Sequence, residues 1–134
     1  MPDCIFCSIV SGKIPANIVL RTPQVVAFTD LDPKAPTHIL VIPTEHHENA
    51  ASLAVANPIQ AAAVLAATEQ AATESGLSDY RIVFNTGSEA GPSVFTAHAH
   101  GLGGRHLGWP PRRPTHYWMV PPTHNCATTP AQQH

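Results

Sequence analysis

The hydrophobic pattern of the chain predicts a sheet of short strands and one long helix. The apolar run over residues 38–42 lies between prolines, which is typical of a strand buried on both faces, so we expect this strand to be central. The alanine-rich stretch over residues 58–75 has high helix propensity throughout and predicts the long helix. The other predicted elements are a short helix over 3–10, a hairpin of strands 18–20 and 25–30, and strands 80–85 and 94–102.

The stretch over residues 93–109, SVFTAHAHGLGGRHLGW, carries the candidate chemistry. In a strand, successive side chains point to opposite faces, so Thr96, His98 and His100 are predicted to share one side. Neutral imidazoles are nucleophiles, proton carriers and metal ligands, and two of them one pleat apart can bracket a single phosphorus atom. His98 and His100 are therefore candidate catalytic residues. The alternative is a pair of strand histidines satisfied by their neighbours.

Composition and charge restrict the class of protein. The 134 residues suit one domain with a real core. A formal net charge of −2 with only seven Lys and Arg argues against an extended nucleic-acid surface, because such binding needs many phosphate contacts. Neither a signal peptide nor a membrane span is apparent. The three cysteines, two of them in a C-x-x-C, suit a reducing compartment, so we expect a cytoplasmic protein.

The last residues differ in kind from the rest. Six of the 14 prolines fall after residue 109, and no hydrophobic period is visible there. We therefore predict a folded domain over residues 1–111 and a proline-rich tail, irregular or disordered, over 112–134.

Four segments together resemble the histidine-triad (HIT) family, in its Hint-like branch. They are CIFCSIVSGKIPA, FTDLDPKAPTHILVIPTEHH, FNTGSEAGPSVF and HAHGLGGRHLGWPP, in the family's order and spacing over about residues 3–111. The resemblance implies an α+β fold, in which an antiparallel sheet of about five strands and one long helix pair across a two-fold axis as a homodimer.

The resemblance also implies hydrolysis or transfer at the α-phosphate of purine nucleoside phosphoramidates or aminoacyl-adenylates. By position, His98 matches the family's nucleophile, which forms a covalent nucleotidyl intermediate, while His100 and the more distant His46 would act on the phosphate. A dinucleoside polyphosphate hydrolase is the alternative enzyme. A weakly active or inactive nucleotide-binding scaffold dimer is the alternative outside enzymes, because Thr96 stands where the family has its first histidine. The remaining histidines are interpreted as structural or solvent-facing: His38, His47, His106, His116, His124 and His134.

The nucleotide-binding positions follow from the same resemblance. Asn85 and Ser93 would line the phosphate and the leaving group, Asp30 would hold the ribose hydroxyls, and Leu31 would flank the base. Trp109 resembles a tryptophan that reaches toward the partner's active site. The alternatives are a turn carboxylate for Asp30, a strand-end amide for Asn85, a strand-end cap for Ser93 and simple packing for Trp109.

Cys4 and Cys7 have the spacing of zinc ligands. Many bacterial relatives complete a structural Cys₂His₂ site with one histidine at the position of His46 and another at the first motif histidine, where this chain has Thr96. Water or His47 could complete the site here, or it could stay empty with the cysteines as small buried hydrophobes. The resemblance requires no metal for the chemical step.

Overall fold

A computed structural model describes residues 4–87 and 96–111. Its helices are α1 (Ile5–Val10), α2 (Ala50–Ala56) and α3 (Pro58–Glu74). Its strands are β1 (Ile18–Arg21), β2 (Val25–Thr29), β3 (Thr37–Pro43), β4 (Tyr80–Phe84) and β5 (Ala99–Gly103). Ser93 and the predicted tail over 112–134 lie outside the described residues.

The five strands form one antiparallel sheet in the order β1-β2-β3-β5-β4, which confirms the predicted α+β fold. β3 is central, as its apolar run predicts. Ile39 and Val41 on one face of β3 join a core cluster with residues of α2 and α3. Leu40 and Ile42 on the other face join a second cluster with Phe6 of α1. Because helices pack on both faces, both sides of β3 are buried.

The long helix α3 begins and ends where its sequence predicts. Pro58 occupies the first turn, the Asn57 side chain accepts a hydrogen bond from the Gln60 backbone N–H at 3.1 Å, and Gly76 follows the helix with a φ of 89°. The helix approaches the sheet closely, since a Cβ added at Gly101 would lie 3.2 Å from Thr68 Cγ2. This close packing explains why Gly101 has no larger side chain.

Helix α2 is an element that the hydrophobic pattern did not predict. Only Leu53 among its seven residues is buried, so no apolar period marks it. Its start does carry a local signal, because Asn49 and Ser52 form a reciprocal capping box in which the Ser52 N–H donates to Asn49 Oδ1 at 2.9 Å.

The strand predicted over residues 94–102 is shorter than expected in its described part. β5 begins at Ala99, and Thr96 to His98 lie outside the ladder. Continuing the antiparallel register would bring Ala97 opposite Pro43, which has no N–H to donate. The Ala97 N–H donates outside the ladder, to the His47 carbonyl at 2.7 Å. Among the helices within residues 4–87 and 96–111, none is long and apolar enough to cross a membrane.

Candidate functional site

Three histidines meet on the sheet face opposite α3. In the β3–β5 register, Leu40 pairs with His100, and His38 lies on the same face as Leu40. The His98 ring contacts the His100 ring edge to face, with centroids 4.8 Å apart. Phe6 of α1 packs against His98 with centroids 5.0 Å apart. His98 and His100 therefore share a face as predicted, although His98 is not in the strand.

The tautomer of His98 is set by the backbone. Its Nδ1 lies 2.6 Å from the carbonyl oxygen of Thr96. A carbonyl can only accept, so Nδ1 carries the proton and Nε2 keeps its lone pair. Burial lowers the pKa of the ring, which outweighs the effect of the hydrogen bond to Thr96 and of the Asp30 charge. His98 is therefore a neutral imidazole whose free nitrogen can act as a nucleophile.

The tautomer of His100 is set through His38. The Lys34 backbone N–H donates to His38 Nδ1 at 3.0 Å, so the proton of a neutral His38 ring is on Nε2. That Nε2 lies 2.9 Å from His100 Nδ1, which must accept. The remaining proton of His100 is then on Nε2. This buried atom has no hydrogen-bond partner within residues 4–87 and 96–111, so it is placed to donate to an incoming group.

The surroundings of His38 and His100 keep both rings uncharged. Burial is the main cause that lowers the pKa of His100, and the neighbouring His98 and His38 rings lower it further, to about 4. Burial likewise lowers the pKa of His38, against the opposing effect of Asp30. Near neutral pH the two imidazoles therefore form a chain of neutral donors and acceptors that ends at His100 Nε2.

Asp30 lies directly after β2 and joins this chain from the side. One carboxylate oxygen is 3.3 Å from His38 Nε2, and the other accepts from the Asp32 N–H at 2.9 Å. The loop that follows is tied to the end of β5, since Arg105 donates from Nη2 to the Lys34 carbonyl at 2.8 Å. These contacts hold the Lys34 N–H against His38.

His38 was interpreted as structural or solvent-facing. The structure excludes the solvent-facing alternative, because His38 is only 5% exposed and contacts His100 and Asp30. The available signal was a histidine within the apolar run of the central strand. The pairing of β3 with β5, which brings His38 to His100, is not visible in the local pattern.

The cysteines form a second cluster beside the histidines. Cys7 Sγ lies 3.2 Å from His46 Nδ1, and Cys4 Sγ lies 3.3 Å from Thr96 Oγ1. The ligand atoms of Cys4, Cys7 and His46 all lie within 4.8 Å of one another. Two thiols and an imidazole are the donors that zinc prefers, so the predicted ligand set fits the metal. His47 turns away to Glu45, with Nε2 2.8 Å from Oε1.

The two thiols differ in acidity. Burial raises the pKa of Cys4, but hydrogen bonds from Cys7, Thr96 and His46 outweigh it and lower the pKa to about 6. Burial and the adjacent Cys4 sulfur raise the pKa of Cys7. Cys4 therefore carries the thiolate in the metal-free protein, and a thiolate is the form that binds metals.

Comparison with known proteins settles the family. The HIT domain family model matches residues 11–107. This chain belongs to the HIT domain family. A HIT-like protein of Synechococcus elongatus, described as uncharacterized, is 40% identical over 110 residues, which cover 81% of this chain and 96% of that protein. A 14 kDa zinc-binding protein of Zea mays is 39% identical over 111 residues, which cover 80% of this chain and 86% of that protein.

Solved structures support the same family. A HIT family hydrolase from Legionella pneumophila matches with a TM-score of 0.78 at 39% identity, over 82% of this chain and all of that chain. The predicted resemblance to the HIT family is thereby confirmed.

The other predicted binding residues of this HIT domain differ in their burial. Asn85 follows β4 and is half-buried. Leu31 is 92% exposed, and Trp109 is 67% exposed with its ring 5.7 Å from Arg81 Cζ. His46 contacts the cysteine cluster, with its Nδ1 3.2 Å from Cys7 Sγ. His38 is the histidine of another strand that contacts His100.

Proposed function

We propose that this HIT protein hydrolyses or transfers nucleotides at the α-phosphate, through a nucleotidyl intermediate on His98. The observation that carries the proposal is the complementary tautomers of two adjacent rings. His98 presents a lone pair at Nε2 because its Nδ1–H donates to the Thr96 carbonyl. His100 presents a proton at Nε2 because its Nδ1 accepts from His38. A nucleophile beside a fixed hydrogen-bond donor is the arrangement that phosphoryl displacement uses.

The chemistry proceeds in two displacements. His98 Nε2 bonds to the α-phosphorus, and the bond to the leaving group breaks. The leaving nitrogen of a phosphoramidate takes up one proton from water. His100 Nε2–H donates a hydrogen bond to a phosphoryl oxygen as charge develops there. Water then bonds to phosphorus, the bond to Nε2 breaks, and the proton returns to solvent.

The substrate proposal is a purine nucleoside phosphoramidate or an aminoacyl-adenylate. We place the ribose hydroxyls near Asp30, the base near Leu31, and the phosphate and leaving group near Asn85 and Ser93. The carboxylate of Asp30 is half-buried beside His38, which supports this orientation. We further propose that Trp109 belongs to a two-fold homodimer, in which it reaches the partner's site. Sedimentation of the full chain tests the dimer.

Removal of the nucleophile tests the function. We expect His98→Ala to lower kcat for an adenosine phosphoramidate by at least about 10³-fold, because the displacement loses its nucleophile. His106→Ala, at an exposed histidine outside the site, is the matched control. Acid quenching during turnover, followed by mass spectrometry, should show a nucleotidyl adduct on the peptide that carries His98.

The outcomes separate the alternatives. Equal rates for the native protein and His98→Ala, with AMP still bound, would establish a nucleotide-binding scaffold. Turnover of dinucleoside polyphosphates with no turnover of phosphoramidates would point to the other hydrolase class. An adduct on a residue other than His98 would overturn the proposed intermediate.

We also propose that Cys4, Cys7 and His46 hold a structural zinc ion. The donor set supports this, as does the similarity to the Zea mays zinc-binding protein. Both thiols are free, which suits a reducing, cytoplasmic setting. We expect about one equivalent of zinc per chain in protein purified without added metal. Cys7→Ser should lose it and Cys126→Ser should keep it; equal zinc contents in these two variants would refute the site.

A further inference from the structure

Thr96 connects the two clusters of the site. Its carbonyl oxygen accepts the hydrogen bond from His98 Nδ1 at 2.6 Å. Its hydroxyl lies 3.3 Å from Cys4 Sγ, 92 positions away in the sequence. Thr96 is buried, so both polar groups depend on protein partners. One residue therefore touches both the candidate nucleophile and the first cysteine.

A hydrogen bond from outside the strand ladder holds the backbone around Thr96. Residues 96–98 precede β5 and lie outside its ladder. Among the described residues, the other hydrogen bond of this segment is the one from the Ala97 N–H to the His47 carbonyl. The β5 ladder therefore does not hold the carbonyl that orients His98. The Ala97 N–H anchors that peptide unit to His47, and the Thr96 hydroxyl anchors the same residue to Cys4.

Cys4 is itself held in place by α1. It is the N-cap residue of the helix, and its Sγ accepts a hydrogen bond from the Cys7 N–H at 3.2 Å. Two residues further on, Phe6 packs edge-on against the His98 ring. The start of α1 thus contacts His98 directly through Phe6 and indirectly through Thr96.

We propose that Thr96 is a positioning residue for His98 and that its hydroxyl transmits the state of Cys4 to the nucleophile. The proposal rests on the function proposed for His98. A thiophilic divalent cation bound at Cys4 occupies the sulfur atom that otherwise shares a hydrogen bond with the Thr96 hydroxyl. The hydroxyl contact then changes, and with it the position of the carbonyl that orients the His98 ring.

The test compares two substitutions that differ by one group. Thr96→Val keeps the side-chain shape and removes the hydroxyl, whereas Thr96→Ser keeps the hydroxyl and removes the methyl. We expect Thr96→Val to lower kcat about tenfold with KM changed less than about twofold, because a nucleophile out of alignment costs rate more than binding. Thr96→Ser should restore most of the rate.

A spectroscopic measurement makes the test independent of turnover. The ¹⁵N shifts of the His98 ring should show a proton fixed on Nδ1 in the native protein and in Thr96→Ser, and a mixture of tautomers in Thr96→Val. Adding zinc to the metal-free native protein should shift these signals, and adding it to Thr96→Val should shift them much less. This readout would decide the proposal even if the native chain turned over no nucleotide.

A double-mutant cycle provides the second check. If the hydroxyl acts through the sulfur, the double variant Thr96→Val with Cys4→Ala should behave like the more severe of the two single variants. Its kcat should be no lower than in that single variant, and its His98 signals no more perturbed. Fully additive effects would overturn the proposal. So would native His98 shifts in Thr96→Val, or an equal loss in Thr96→Ser and Thr96→Val, which would assign the effect to packing.

Discussion

His38 Nε2 lies 2.9 Å from His100 Nδ1, across the pairing of β3 with β5. This contact decides which nitrogen of His100 carries a proton. The Lys34 N–H occupies the other nitrogen of His38, so the donor direction runs from His38 to His100 and ends at His100 Nε2. The backbone N–H of Lys34 thus fixes the proton of His38, and His38 in turn leaves His100 with a donor at Nε2, the atom proposed to meet the substrate.

Removing the ring nitrogens of His38 should weaken the reaction while keeping the shape of the core. In His38→Phe, His100 is no longer held as an Nε2 donor, so we expect kcat to fall by about 10²-fold. The Lys34 N–H also loses its acceptor, which should lower the free energy of unfolding by about 1–3 kcal/mol. Steady-state kinetics and urea unfolding measure the two effects. His106→Phe, at an exposed position, should change neither. A native kcat in His38→Phe would show that His100 does not need this partner.

Acid should destabilise the protein before its carboxylates titrate. The pKa values of His38, His98 and His100 are all lowered in the folded state, that of His100 to about 4. Below the unfolded value of 6.5 the unfolded chain binds more protons, so the free energy of unfolding should fall as the pH falls from 6.5 toward 4. Urea unfolding at several pH values measures this slope. The slope should be shallower in His100→Phe; an equal slope in that variant would assign the pH dependence to other groups.

Cys4 should react with alkylating agents in slightly acidic solution. Its pKa is lowered to about 6 and that of Cys7 is raised, so iodoacetamide should modify Cys4 first in metal-free protein. Peptide mapping across a pH series should give a midpoint near this value for Cys4 and a higher one for Cys7. Bound zinc should protect both. Modification of Cys7 ahead of Cys4 would reverse the assignment of the thiolate.

A side chain at Gly103 should strain the end of β5. A Cβ there would lie 2.6 Å from Leu77 Cδ1 and 3.1 Å from the Asp79 carbonyl oxygen, and the backbone oxygen cannot move away easily. We expect Gly103→Ala to lower the free energy of unfolding by about 1–3 kcal/mol. Gly108→Ala is the matched control, because nothing lies within 4 Å of its Cβ position. Equal stability of the two variants would mean that the strand end relaxes freely.

Local patterns in the sequence determined much of the fold. The apolar run of β3 predicts its central position, and the alanine-rich stretch over residues 58–75 predicts α3. These signals work because burial on two faces and helix propensity both show in a short run of neighbouring residues. Helix α2 was not predicted, because it buries only Leu53 and so shows no apolar period.

The candidate site was likewise determined partly by the sequence and partly by the tertiary structure. The sequence by itself placed His98 beside His100 through strand alternation, and Cys4 beside Cys7 through their spacing. Only the tertiary structure decided which distant partners they meet. His38 reaches His100 across 62 positions. Thr96 reaches Cys4 across 92. The pairing of β3 with β5 and the packing of α1 on the sheet create these contacts, and such long-range arrangements leave no mark in a local pattern.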